Sequence, residues 1–456
     1  MIKIKPLIFI LSIFILCTNL SCNDDDDHSG NYQLNVSSTK KLNDFISSIE
    51  DNDRGMGSVS IFKGDQQVYS RSYGYADIDA KLKANNNTIY RIGSVSKTFT
   101  ATVIMRLIEE KKLTLDTKLS KFYPQIPNSN QITIEYLLRH KSGVIDFTSD
   151  PDYLTWYTKP QTKDYLINRL TLGSDFPPGT QTLYCNSNYL LLAYIAEDVS
   201  NQSYSDLIKK YISIPCKLSR TGEGDAINIH NNEANSYLRA GNRWKLDKET
   251  DKTVSIGAGS IATTAYELNV FYNNLFSCKI VSKNSLNLMK EIINGYGLGL
   301  TQFNADGEIG IGHRGAIDGF YTAVFYYPQY GVTISILTNA SNYFVDDMMK
   351  GIVSIYLNKP FDLPVFKKPL DLKSEDLDKY LGNYTSQTFP YPITVSKRNN
   401  ILVVNIAGLL EYEPICYEPN VFVYESLGAV FTFIPQENKM RLFYGQQEYI
   451  YNKVNK

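Results

Sequence analysis

Tyr90-Arg91-Ile92-Gly93-Ser94-Val95-Ser96-Lys97-Thr98-Phe99 is the stretch that organises this chain. From Phe99 onward Val103, Ile104, Leu107 and Ile108 recur at helical spacing, so the run predicts a turn opening into a helix. One turn apart, Ser94 and Lys97 share a helical face. The helix start also presents its positive dipole end, which favours negative charge developing at the serine. A serine hydroxyl is a poor nucleophile until a neighbour removes its proton. Lys97 can do so if burial or nearby positive charge lowers its pKa. Three other Ser-x-x-Lys runs begin at Ser37, Ser38 and Ser60. The first two fall in a polar stretch ahead of any expected core. Ser60 lies in Val59-Ser60-Ile61-Phe62-Lys63, which reads as a hairpin strand paired with Gln67-Val68-Tyr69-Ser70-Arg71 around Gly64-Asp65. Residues three apart on a strand face opposite sides, so Ser60 and Lys63 diverge.

Two further motifs have a suitable setting. Pro177-Pro178-Gly179 leads through a turn to Tyr184-Cys185-Asn186, after which residues 190–196 read as an apolar helix. Tyr184 and Asn186 therefore sit at a helix entrance, where side chains reach a cleft. Other Tyr-x-Asn runs, at Tyr272 and Tyr356, lie inside helix-like stretches and read as core or surface. Gly312-His313-Arg314-Gly315-Ala316-Ile317-Asp318-Gly319 precedes Tyr321-Thr322-Ala323-Val324-Phe325-Tyr326-Tyr327 and Gly331-Val332-Thr333-Ile334-Ser335-Ile336-Leu337, which read as successive sheet strands. Alternation puts His313 and Gly315 on one face and Arg314 on the other. Gly315 is expected to let a substrate backbone approach the strand. His28, in another His-x-Gly, lies in an acidic polar stretch.

With these motifs stand Leu137-Leu138-Arg139-His140-Lys141-Ser142-Gly143, Gly257-Ala258-Gly259-Ser260 and Tyr296-Gly297-Leu298-Gly299-Leu300. Together, across residues 57–339, they resemble serine hydrolases of the penicillin-binding-protein and class C β-lactamase superfamily. The resemblance implies an α/β (α+β) fold, with a mainly antiparallel sheet flanked by helices, a helical subdomain, and the site in the cleft between them. It implies Ser94, Lys97 and Tyr184 as catalytic residues. The Ser94 and Ala316 N–H groups would form an oxyanion hole. Asn186 would orient Lys97 and the substrate's acyl amide, and His313 would touch the Tyr184 hydroxyl or the leaving group. No metal or organic cofactor is expected. His-Arg-Gly replaces the commoner Lys-Thr-Gly, as in D-aminopeptidase, esterase and some carboxypeptidase-like branches. A histidine with its ordinary pKa of ~6.5 is mostly neutral where lysine is a fixed cation, so a weaker dependence on a substrate carboxylate is expected.

The remaining chain sets compartment and domains. Lys3 and Lys5 precede an apolar run over residues 7–16, a secretory pattern ending in Leu20-Ser21-Cys22 and four aspartates. This resembles a bacterial lipoprotein signal with lipid on Cys22. An exported lipoprotein is expected, periplasmic or anchored at the outer membrane or cell surface through its acyl chain. Balanced charge, 46 Lys and Arg against 47 Asp and Glu, offers no basic field for nucleic acid. The six cysteines show no zinc-type spacing. The division expected is a signal over 1–21, a tether over 22–40, the hydrolase domain over 41–358, a proline-rich linker over 359–375 and an antiparallel β domain, a partial barrel, over 376–456. The function expected is serine hydrolysis of peptide, amide or ester bonds in small-molecule or peptide substrates, D-amino-acid-containing cell-wall peptides among them. A non-catalytic penicillin-binding sensor and a true β-lactamase are the alternatives.

Overall fold

The computed structural model describes residues 33–454, apart from 241–242, 409 and 446. The expected signal over residues 1–21, Cys22 and most of the expected tether lie outside the described residues. The tether assignment fails at its C-terminal end. Helix α1 spans Val36–Asp51, with the Asn35 side chain accepting from Ser38 N at 2.7 Å. Leu42, Phe45, Ile46 and Ile49 form its buried stripe, an i, i+3, i+4, i+7 pattern beneath a polar-looking start.

The centre is a six-stranded antiparallel sheet. Its strands are β1 (Gly55–Lys63), β2 (Gln66–Tyr73), β3 (Thr301–Ala305), β4 (Glu308–Ile317), β5 (Phe320–Tyr327) and β6 (Val332–Ser341), in the order β3-β4-β5-β6-β1-β2. The 59–63/67–71 hairpin is present as β1–β2. One sheet face packs on α1 and on the helix Val345–Tyr356 through Ile61, Ile334, Ile336, Met349 and Ile352. The other meets the helix Ala265–Phe276 and, beyond it, the helix Ser96–Glu109. Strand β6 is buried along its whole length, so its polar residues need partners. Ser335 Oγ donates to Ala265 O at 3.0 Å, and Thr333 Oγ1 to Asn273 Oδ1 at 2.5 Å. Tyr272, on the same helix, is buried in the core.

A helical subdomain, including Ile134–Leu138, Lys163–Arg169 and Asn186–Ser200, covers the opposite side of the cleft. The C-terminal region is a nine-stranded antiparallel sheet whose edge strands, Leu410–Tyr412 and Ile415–Glu418, are sequence neighbours. The sheet thus curls into a partial barrel around Tyr384, Val404, Phe431 and Leu442. Strands Gly382–Thr385 and Ile393–Arg398 add to the alternating runs visible in sequence. Buried Arg54, between α1 and β1, fastens this region down. It pairs with Glu425 and donates to Tyr417 Oη at 2.6 Å and Lys367 O at 3.1 Å. No helix among the described residues is long and apolar enough to cross a membrane.

Candidate active site

The nucleophile stretch folds as a tight turn running directly into a helix. Gly93–Val95 form a single 3-10 turn, and helix α2 follows at Ser96–Glu109. Ser94 therefore stands just ahead of the α-helix rather than within it. Two glycines make this possible. Gly93 has φ +50, and a Cβ there would lie 2.7–2.8 Å from Ala316 backbone atoms. A Cβ on Gly315 would lie 2.0 Å from Ile92 O and 3.0 Å from Ser94 N. On the side where a Cβ would stand, Gly315 thus admits the chain's own turn. The interlock brings the backbone N–H groups of Ser94 and Ala316 to the same end of β4, suited to an oxyanion.

Lys97 is fully buried. Its Nζ lies 3.0 Å from Ser94 Oγ, 2.8 Å from Asn186 Oδ1 and 3.0 Å from Ala258 O. Burial lowers its pKa to about 7, against the raising effects of Asp146 and Cys185. A neutral amine can donate two protons to Asn186 and Ala258 and turn its lone pair to the Ser94 hydroxyl. The Gly257-Ala258-Gly259-Ser260 loop is held for this by Thr100 Oγ1, which donates to Gly257 O at 2.6 Å.

Tyr184 lies ahead of the helix Asn186–Ser200 and hydrogen-bonds Ser94. The Lys97 ammonium position is 4.7 Å from its ring centroid. Burial raises its phenol pKa above the ordinary tyrosine value, so it stays protonated at neutral pH. His313, on β4, is buried, and its pKa falls to about 3, chiefly through burial and then through Lys97. Its Nδ1 donates to Arg314 O at 2.5 Å, which leaves Nε2 as an acceptor. Arg314, on the opposite face, pairs with Asp346 at 2.6 Å.

Two residues in this neighbourhood carry no role in the sequence reading. Asp146 Oδ2 accepts from Asn186 N at 2.9 Å and from its Nδ2 at 3.2 Å, so the amide must turn Oδ1 towards Lys97. His140 has φ +57, accepts from Cys185 N at 3.1 Å and lies 4.5 Å from the Tyr184 ring, centroid to centroid. It thereby fixes the segment carrying Tyr184. His140 was visible inside the Leu137–Gly143 signature, whereas Asp146 had no local signal.

Comparison with known proteins agrees with this geometry. The family model described as Beta-lactamase matches residues 43–352. Penicillin-binding protein 4* of Bacillus subtilis (strain 168) is 26% identical over 431 residues, covering 85% of this chain and 92% of that protein. Teichoic acid D-alanine hydrolase of Staphylococcus aureus (strain MRSA252) is 26% identical over 227 residues, covering 50% of this chain and 55% of that protein. Among solved structures, the D-amino acid amidase of Ochrobactrum anthropi SV3 complexed with D-phenylalanine superposes with a TM-score of 0.62 at 21% identity, covering 71% of this chain and 99% of that one.

Proposed function

The chain belongs to the beta-lactamase family, and from that premise we propose that it is a hydrolase of amides or esters of D-amino acids, working through an acyl-enzyme on Ser94. The observation that carries this reading is the buried Lys97, near pKa 7 and 3.0 Å from Ser94 Oγ. The neutral amine takes the hydroxyl proton as Oγ attacks the acyl carbon. Negative charge on the carbonyl oxygen is met by the Ser94 and Ala316 N–H groups; such donors are typically worth ~2.7–4 kcal/mol each. The protonated phenol of Tyr184 hands a proton to the departing amine or alcohol and regains one from Lys97. Water then attacks the acyl-enzyme, and the same groups run in reverse to release the acid and free Ser94.

His313 supports the choice of substrate. Its neutral imidazole offers no fixed cation to a substrate carboxylate, which a dedicated β-lactamase reading would favour. The relatives named for D-alanine hydrolysis and D-amino acid amidase activity point the same way. The test is multiple turnover of D-alanine p-nitroanilide by the wild type beside Ser94→Ala. Steady release that vanishes in the variant is expected. One equivalent of release followed by arrest would instead favour the penicillin-binding sensor. The proposal extends, on sequence alone, to export and lipidation at Cys22; labelled palmitate should enter the wild type and not Cys22→Ala.

A further inference from the structure

The cleft holding Ser94 has a charged wall with no part in the proton transfers. A cavity of about 280 Å³ is lined by Ser94 and Ala316 together with Tyr153, Tyr157, Asp247 and Asp318, and no lysine or arginine side chain lines it among the described residues. The Asp318 carboxylate is held in place by Thr250, whose N–H donates to its two oxygens at 3.2 and 3.1 Å and whose Oγ1 donates at 2.5 Å. Arg91, whose charge reaches Asp318, is committed elsewhere. It pairs with Glu249 and donates to Thr250 O at 2.8 Å and Asp225 O at 2.6 Å. Asp247 accepts from Lys248 N at 2.8 Å, with the charges of Lys245 and Lys248 nearby. The rings of Tyr153 and Tyr157 stack at 5.4 Å, and both phenols sense Asp318.

A half-buried carboxylate in the cavity that Ser94 lines favours a cation over a neutral or anionic group, and aromatic faces add to that attraction. We propose that Asp318, supported by Asp247 and the Tyr153–Tyr157 pair, is an ammonium subsite, so that the acyl donor carries a free α-amino group. The spacing fits. Asp318 is two residues beyond Ala316, a reach of at most about 7 Å. Ala316 and Asp318 line the same cavity, so an acyl donor whose carbonyl oxygen sits at the Ala316 N–H can extend its α-ammonium, two bonds from the carbonyl carbon, towards the Asp318 carboxylate. Burial raises Asp318 to about 6, so it is mainly ionised at neutral pH. The subsite selects aminoacyl amides and esters with an open N-terminus over N-blocked chains and over substrates known only by a terminal carboxylate.

This inference rests on the acyl-enzyme reading, and the test separates the two. kcat/KM is measured for D-alanine p-nitroanilide, N-acetyl-D-alanine p-nitroanilide and propionic acid p-nitroanilide, with wild type and Asp318→Asn. The wild type should prefer the free amine over both others by about 10- to 150-fold, the range for a hydrogen bond to a charged group. In Asp318→Asn that ratio should collapse towards one. A wild type that cleaves the acetylated or des-amino anilide as well as the free amine overturns the subsite while leaving the Ser94 reading intact. So does a ratio that survives in Asp318→Asn. Failure of the wild type to cleave any of the three overturns both.

Discussion

Lys97 brings full burial and three oxygen partners to one nitrogen, and its pKa near 7 sets the pH at which it can act. Only the neutral amine accepts the Ser94 proton, so kcat/KM for an uncharged ester should rise about tenfold per pH unit up to pH ~7 and then level off. Tyr184, its pKa raised by burial, contributes no descending limb near neutrality. An optimum below pH 6 would contradict the assignment. Lys97→Ala should lower kcat by about 10²–10⁴-fold without loss of fold, judged by circular dichroism. At His313 the expected change is in selectivity: His313→Lys should raise the preference for a substrate bearing a carboxylate over its matched amide, and an unchanged ratio would show that this position does not face the substrate. Ser94, Lys97, Tyr184, Asn186 and His313 stood out in sequence because each lies in a short motif with a defined local setting. Asp146 did not, since its role arises from a contact with Asn186 forty residues away.

At the level of elements, the site depends on how closely β4 approaches the Gly93–Val95 turn. Gly315→Ala would push a Cβ into Ile92 O, so the turn or the strand must shift. The expected cost is about 1–3 kcal/mol in denaturant midpoint analysis, together with a fall in kcat as the Ser94 and Ala316 N–H groups separate. A variant with wild-type stability would mean that the two elements are not locked together. The apolar spacing after Phe99 revealed the helix, but it could not show that Ser94 sits on a 3-10 turn, because that turn requires Gly93 at φ +50 against a strand more than 200 residues later. The start of α1 was hidden for a different reason. Its first turn is Val-Ser-Ser-Thr, and the Leu42, Phe45, Ile46, Ile49 stripe begins only in its second turn.

Across the whole molecule, the catalytic sheet and the C-terminal partial barrel meet at Arg54. Removing the guanidinium leaves Glu425, only 22% exposed, without its partner. Breaking a buried pair costs about 3–5 kcal/mol, and the residual exposure of Glu425 places this one at or below the low end. Arg54→Ala should therefore loosen the docking and speed proteolytic cleavage within residues 357–373, with no such change in a surface control such as Lys40→Ala. The barrel's existence was legible from alternating runs over residues 401–451, but its closure was not. Curling depends on pairing across nine strands, which no local pattern encodes. Activation of Ser94 by Lys97 can be read from the intact mass of the protein after exposure to a fluorophosphonate. One adduct is expected on the wild type, none on Ser94→Ala, and labelling of Lys97→Ala should be strongly slowed. An unlabelled, well-folded wild type, or an adduct that persists in Ser94→Ala, would contradict it.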